Sequence, residues 1–222
     1  MELILSELQV RERYKFLTAI VTPRPIALVT TRDAAGKDNA APFSFFNVFS
    51  EDPPTVILGL SKRPDGRTKD TLLNIRETNA FVVHMVDRGL EDCMHVCSAD
   101  FPYGESELGH AGVTLTPART VNVARIVEAP AALECRLSRT IELSDRRTLV
   151  LGEVVCAHIK DEILDLTNKR VVPERYSPLG RLYGDYYAWL GAPFQHAIPS
   201  YDDVTAADGG GAEEELKAAA AR

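Results

Sequence analysis

The chain has 222 residues, 45% hydrophobic and 26% charged, with a formal net charge of −7. That length suits one medium domain or two small ones with a substantial core. The negative balance argues against a phosphate-backbone partner, so no nucleic acid is expected, and no apolar run approaches the length that crosses a bilayer. The four cysteines, Cys93, Cys97, Cys135 and Cys156, are too sparse for a disulfide framework and read as reduced thiols. The opening MELILSELQVRERYKF turns charged too early for a signal peptide. A cytoplasmic protein is the expectation.

Residues 6–20 predict a helix, with Ser6 as its cap and Leu8, Tyr14, Phe16, Leu17 and Ile20 as its apolar positions. Pro23 and Pro25 then force extended backbone. Residues 26–31 (IALVTT) form a buried strand, and 33–39 (DAAGKDN) a turn centred on Gly36. A second strand is expected over 55–60 (TVILGL), a helix over 68–78 with Leu72, Leu73 and Ile75 inward, and a third strand over 80–86 (AFVVHMV). Residues 87–99 read as helical, and 101–116 as an irregular, glycine-containing excursion. Strands follow over 121–127, 131–137 and 148–159, punctuated by Pro130 and Asp145-Arg146. Residues 163–172 connect to a segment, 176–190, rich in aromatics and glycine. One domain over 1–201 is expected, with a tail over 202–222 too poor in core residues to be other than disordered or weakly helical. Six or more short strands with few helices argue for a barrel rather than a doubly wound sheet. Strands this apolar need cover on both faces, from the barrel interior and from a second subunit.

Two segments carry chemistry. Residues 61–71, SKRPDGRTKDT, place Lys62, Arg63, Arg67 and Lys69 against Asp65 and Asp70, a local positive excess in an acidic chain. Guanidinium forks and ammonium groups suit phosphate oxygens. Ser61, Thr68 and Thr71 add hydroxyls, and the helix opening near Asp70 points backbone N–H groups at the same place. The competing reading is a solvated turn before a capped helix. Asp70 has the wrong sign for an anion and reads as a cap or as a partner that orients Lys69 or Arg63. Residues 39–47, NAAPFSFFN, combine small Ala40 and Ala41, rigid Pro42, polar Ser44 and Asn47, and the aromatics Phe43, Phe45 and Phe46, with Phe49 just beyond. Such a wall fits a flat ring with one apolar and one polar edge. The competing reading is a phenylalanine-rich core strand.

TPRPIALVTT (22–31), NAAPFSFFN (39–47), EDPP (51–54), GLSKRPDGRTKDTLLNI (59–75) and SPLGRLYGDYYAWLG (177–191), in this order, resemble the flavin reductase-like family with the FMN-binding split barrel fold, in the branch that pairs PRPI with KDT. The resemblance implies a mainly β, six-stranded antiparallel split barrel with added helices, a homodimer, and non-covalent FMN near the subunit interface. It implies that Ser44, Phe45, Phe46 and Asn47 line the isoalloxazine and that Ser61, Arg63, Lys69, Asp70 and Thr71 surround the phosphate and ribityl chain. Arg24 would lie near the flavin. Arg181, Gly184 and Tyr187 would complete the site; here Tyr183 stands before Gly184, where the branch often has paired glycines. Hydride would come from NADH or NADPH. Either a small-molecule acceptor or a separate flavin-dependent monooxygenase would take the electrons. Alternatives are a non-catalytic FMN storage or sensor protein, and a related barrel holding haem or no cofactor.

No catalytic triad is expected, since the flavin would carry the reaction. Arg24 and His110 are the only side chains with a candidate catalytic role. No metal site is expected: Cys93 and Cys97 bracket His95, but no second ligand pair stands nearby, so both thiols read as helix-packing residues. His84 and His158, within apolar strands, read as satisfied core groups.

Overall fold

The computed structural model describes residues 1–102 and 104–207. Its apolar runs form strands β1 (Ala27–Arg32), β2 (Asp38–Phe43), β3 (Phe46–Glu51), β4 (Pro54–Ser61), β5 (Ala80–Met85), β6 (Ala131–Ser144) and β7 (Arg147–Ile159). They hydrogen-bond in the order β2-β1-β5-β6-β7-β4-β3, antiparallel throughout.

Chain connectivity makes this sheet a barrel. The edge strands β2 and β3 are consecutive and separated only by Ser44 and Phe45. Six spacings of about 4.8 Å would hold the edges of a flat sheet roughly 29 Å apart, whereas the link from Phe43 to Phe46 reaches at most about 11 Å. The sheet must curl until its edges meet. No ladder joins β2 to β3, so the barrel is split. The Phe45 carbonyl instead accepts the Gly59 N–H at 2.7 Å. The approach is close: a Cβ at Gly59 would lie 3.0 Å from the Phe45 Cβ.

The sheet has seven strands rather than six. Five of the six expected strands are in it. The strand expected over 121–127 shortens to Ala124–Ile126 and pairs with Leu115–Pro117 outside the sheet. The two added strands are β2, the competing reading of 39–47 as a core strand, and β3, where Asn47, Val48 and Phe49 are all exposed and the alternation that marks a half-buried strand is missing. Inside the barrel pack Ala27, Val29, Phe43, Val56, Leu58, Phe81, Val83 and Val150, closed at one end by Leu72 and Ile75 of helix α2 (Asp70–Thr78). The alternate residues Ile26 and Leu28 face outward onto Leu90, Cys93, Met94, Leu108 and Ile126. The outer cover for β1 thus comes from residues 88–129 of the same chain, not from a second subunit. Within that cover the helix expected over 87–99 is shorter. A 3-10 turn (Arg88–Leu90) leads into α3 (Glu91–Val96), and Asp87 accepts the Gly89 N–H at 3.0 Å.

The interior is filled closely enough to leave no room at Gly152, where a Cβ would sit 2.3 Å from Phe81 Cζ and 3.3 Å from Cys135 Cβ. Phe81 is fully buried, so its ring has little room to withdraw. Gly152→Ala is expected to destabilise the chain by about 2–3 kcal/mol, the upper part of the range for an overpacked core. Chemical denaturation of the variant checks this, and an unchanged midpoint would mean that Phe81 has an alternative rotamer.

The N-terminal helix α1 spans Val10–Ile20. Its start is not at Ser6: Leu5–Glu7 form a separate 3-10 turn, and the Gln9 N–H donates to Glu12 Oε2 at 2.9 Å across the first turn of α1. Tyr14, Phe16, Leu17 and Ile20 are exposed, and only Thr18 is buried. Residues Met1–Gly191 make up one compact unit, and the chain from Ala192 onward belongs to a second. Of the tail expected over 202–222, residues 202–207 belong to a short helix, Tyr201–Ala207, and 208–222 lie outside the described residues.

Candidate functional site

A cleft of about 490 Å³ opens between the end of β2, the start of α2, the end of α3 and a late strand, Leu179–Arg181. That size falls within the usual range for small-molecule sites. The late strand reaches it by pairing on one side with Arg24–Pro25 and on the other with Tyr187–Trp189.

One wall is the phosphate-type loop. Arg63 is folded back: its Nη1 donates to Asp100 Oδ1 at 3.0 Å and to the Phe101 carbonyl at 2.9 Å, and its Nη2 to Asp70 Oδ2 at 3.4 Å. Its Nε is buried with no partner among the described residues, and so is Asp70 Oδ1. A buried donor and a buried acceptor left unpaired are costly unless a ligand completes them. No side chain caps the N-terminus of α2, whose cap residue is Lys69. The Lys69 ammonium lies 5.9 Å from the centroid of the Phe43 ring. Burial lowers its pKa below the usual lysine range, and the neighbouring Arg63 charge lowers it further. Two cations that repel each other at an open helix N-terminus suit an anion.

Beneath the loop runs a buried polar network. Asn39 Nδ2 donates to Glu107 Oε2 at 2.7 Å, and Asn39 Oδ1 accepts from the hydroxyls of Thr71 and Thr31, each at 3.4 Å. Asn74 donates to the Thr31 hydroxyl at 3.0 Å. Glu107 is 5% exposed, and burial raises its pKa. The opposite wall carries Ala41, Pro42, Phe43 and Ser44 from β2 and the turn after it, with Tyr14, Met94, Cys97, Arg181 and Tyr187 around the rim. Arg181 stacks on Tyr187, 4.4 Å from the ring centroid, and bonds to its hydroxyl and to the Gly184 carbonyl.

Seven of the thirteen site residues expected from the sequence line this cleft: Ser44, Arg63, Lys69, Asp70, Thr71, Arg181 and Tyr187. Six do not, Gly184 among them, whose carbonyl accepts from Arg181. The Phe45 ring lies outside it, between Tyr14 at 6.2 Å and the Arg147 guanidinium at 4.6 Å. Phe46 packs against the barrel core. Asn47 is exposed and accepts the Val48 N–H at 2.8 Å. Strand alternation explains the scatter, because consecutive residues cannot all face one ligand. Ser61 lines a neighbouring cleft with Lys62 and Thr68. Arg24 is 7% exposed, with its donors on the carbonyls of Thr18 (2.6 Å), Val21 (2.9 Å) and Leu182 (2.6 Å), and touches the cleft only through Ser44 Oγ at 3.4 Å. His110 is exposed and stacks on Phe101 at 5.5 Å. His84 is fully buried: its Nε2 accepts the Ile126 N–H at 2.9 Å, so Nδ1 donates to the Leu28 carbonyl at 3.0 Å. Burial brings its pKa down to about 4, which leaves it neutral.

Sequence reasoning did not find Glu107, which comes from the irregular excursion, Asp100, which stands just before it, nor Met94 and Cys97 as cleft residues. Glu107 carries no local signal, since only the fold sets it against Asn39.

Comparison with known proteins agrees with this architecture. Residues 20–175 match the family model described as flavin reductase like domain. The structure of 2-nitrobenzoate 2-nitroreductase NbaA from Pseudomonas fluorescens is 38% identical, with 90% of this chain and 98% of that one covered and a TM-score of 0.83. Nitrilotriacetate monooxygenase component B from Bacillus cereus is 32% identical, with coverage of 88% and 98% and a TM-score of 0.83. A structure with a split barrel domain from Shewanella frigidimarina shares the fold at 19% identity and a TM-score of 0.76, over 88% of this chain and 96% of that one. With its edge strands meeting unpaired and its sequence matched over most of its length, the chain belongs to the flavin reductase like domain family.

Proposed function

We propose that the chain is an NAD(P)H-dependent flavin reductase that holds FMN non-covalently in the 490 Å³ cleft. The observation that carries this reading is the pair of unpartnered buried atoms, Arg63 Nε and Asp70 Oδ1, at the uncapped start of α2. The residues fit the group. Arg63, Lys69 and the backbone N–H groups of the helix start would take the phosphate. Asp70, Thr71 and Asn39 would accept from or donate to ribityl hydroxyls. The stretch from Ala41 to Ser44 would present close backbone and a proline face to the ring. When bound, FMN supplies the hydride-accepting chemistry. The protein's part is to orient it, to shield one face with β2 and to leave the other open to a nicotinamide. The chain's own polar groups would also tune the ring: Ser44, steadied by Arg24, would offer its hydroxyl to the polar edge.

The similarity to a monooxygenase component B supports delivery of reduced flavin to a separate oxygenase. The similarity to a nitroreductase supports reduction of a small aromatic acceptor in place. A homodimer is part of the same proposal. Tyr14, Leu17, Ile20, Val48 and Phe49 expose apolar surface on α1 and β3 that a second copy would cover.

Anaerobic titration tests the reading. The purified protein should bind FMN in equal proportion, and NADH or NADPH should bleach the flavin absorbance. Binding without bleaching by either nucleotide would leave a flavin carrier, and no binding would remove the proposal.

A further inference from the structure

Glu134, Cys156 and His158 form a cluster that the cleft does not use. Cys156 and His158 are alternate residues of β7 and share a face of the sheet. Cys156 stands directly opposite Glu134 of β6. That pairing depends on an irregularity, because the register shifts between Val154 and Cys156 and leaves Val155 as an extra residue. Without the shift Glu134 would face Val155, and Cys156 and His158 would point to the other side of the sheet. The bulge aims both side chains at the carboxylate.

His158 Nε2 lies 2.6 Å from Glu134 Oε1 and 3.8 Å from Cys156 Sγ. The three ligand atoms are all within 4.8 Å of one another. One ring nitrogen therefore faces both partners. A nucleophilic relay needs the two ring nitrogens in separate roles, one toward the thiol and one toward the acid. Convergence of one atom from each of three side chains is instead what a metal ion requires. Glu134 is fixed from behind: Oε1 accepts the Arg119 N–H at 2.7 Å, and Oε2 accepts the Thr120 N–H at 2.7 Å together with the Thr120 hydroxyl. Outer contacts of this kind orient a ligating carboxylate. An ion about 2.0–2.1 Å from nitrogen and oxygen would need the Glu134–His158 pair to open by under about 1 Å. The His158 side chain is 28% exposed and lines a shallow cleft of about 350 Å³ with Arg125 and Lys160.

We propose that Glu134, Cys156 and His158 are three ligands of a zinc-type divalent transition ion, with water in the fourth tetrahedral position. A thiolate and an imidazole select zinc over magnesium or calcium. On binding, the ion takes the place of the proton between His158 and Glu134 and of the Cys156 thiol proton: the thiol proton goes to solvent, and the Nε2 proton moves to Nδ1 of a neutral ring, or to solvent when Nδ1 already carries one. It would then tie β6, β7 and the 119–120 segment at one point. This site is independent of the flavin reading.

Titration of the metal-free, full-length protein with Co²⁺, followed by displacement with Zn²⁺, tests it. A thiolate-to-cobalt charge-transfer band should grow to one equivalent and vanish on addition of zinc. Cys156→Ser should abolish the band and weaken Zn²⁺ binding by more than roughly 100-fold, beyond what loss of an outer-shell partner costs. Cys93→Ser should keep both. Zn²⁺ should raise the melting temperature of the wild-type chain and not that of Cys156→Ser, with the two metal-free proteins melting together. A chain that shows no charge-transfer band, or a band that survives in Cys156→Ser, would overturn the assignment.

Discussion

Arg63→Ala is expected to lower the affinity for FMN by roughly 100-fold while changing the affinity for riboflavin, which lacks the phosphate, far less. Two effects add in the same direction. The first is loss of the charge-assisted hydrogen bond that the free Nε is placed to make, worth about 1.5–3 kcal/mol, or roughly 10- to 150-fold in a dissociation constant. The second is electrostatic. Arg63 lies 3.4 Å from Asp70 and 3.0 Å from Asp100, and without it two carboxylates face the incoming phosphate. Lys69 cannot substitute. It sits at the cap of α2, and its desolvated ammonium is a point charge without the planar fork. Arg63→Lys should accordingly recover part of the affinity but not all of it. Fluorescence quenching titrations with both flavins make the comparison. If Arg63→Ala weakened FMN and riboflavin equally, the guanidinium would be acting on the cleft as a whole, and the phosphate would have to sit elsewhere.

Local chemistry and fold-dependent chemistry were not equally readable. The loop over 61–71 is legible because its meaning is local: a turn, cations at short spacing and a helix start need only neighbours in sequence. The ring-facing segment is legible only in part. Its composition is right, but alternation along β2 and the bend at Ser44–Phe45 decide which side chains face the cleft. Ser44 does, and Phe45, Phe46 and Asn47 do not. The continuous apolar runs at 26–31 and 80–86 announced strands buried on both faces, yet not what would cover them. That cover is assembled from residues spread over 88–129, and its stretch over 101–116 has no periodicity of its own and is folded by what it packs against. Glu107 arrives at Asn39 with it. The Glu134–Cys156–His158 cluster was beyond reach for a sharper reason: a single extra residue, Val155, decides which face Cys156 and His158 share. A shift of one position in pairing register leaves no mark in composition.

Arg24 separates two explanations of one sequence motif. In PRPI the arginine reads as a flavin neighbour, but its geometry is that of a strut. Nη1 caps the end of α1 through the Thr18 and Val21 carbonyls, Nη2 reaches the Leu182 carbonyl 158 residues away, and Nε steadies Ser44. Arg24→Ala would leave three carbonyls without their donor inside a junction where the arginine is only 7% exposed. Loss of several hydrogen bonds to a charged group at a buried site costs about 3–5 kcal/mol, or roughly 6–20 °C in melting temperature for a unit of this size. Arg24→Lys should rescue little, since one ammonium cannot span three carbonyls and a hydroxyl lying in different directions. The loss should be seen in the protein without flavin, because the contacts are all internal. Flavin binding should weaken as a consequence, since Leu182 adjoins the strand that brings Arg181 to the cleft and Ser44 forms part of its wall. The opposite pattern, a flavin-free Arg24→Ala protein that melts like the wild type but is reduced more slowly by NAD(P)H, would return Arg24 to the flavin and leave the end of α1 held by its own packing.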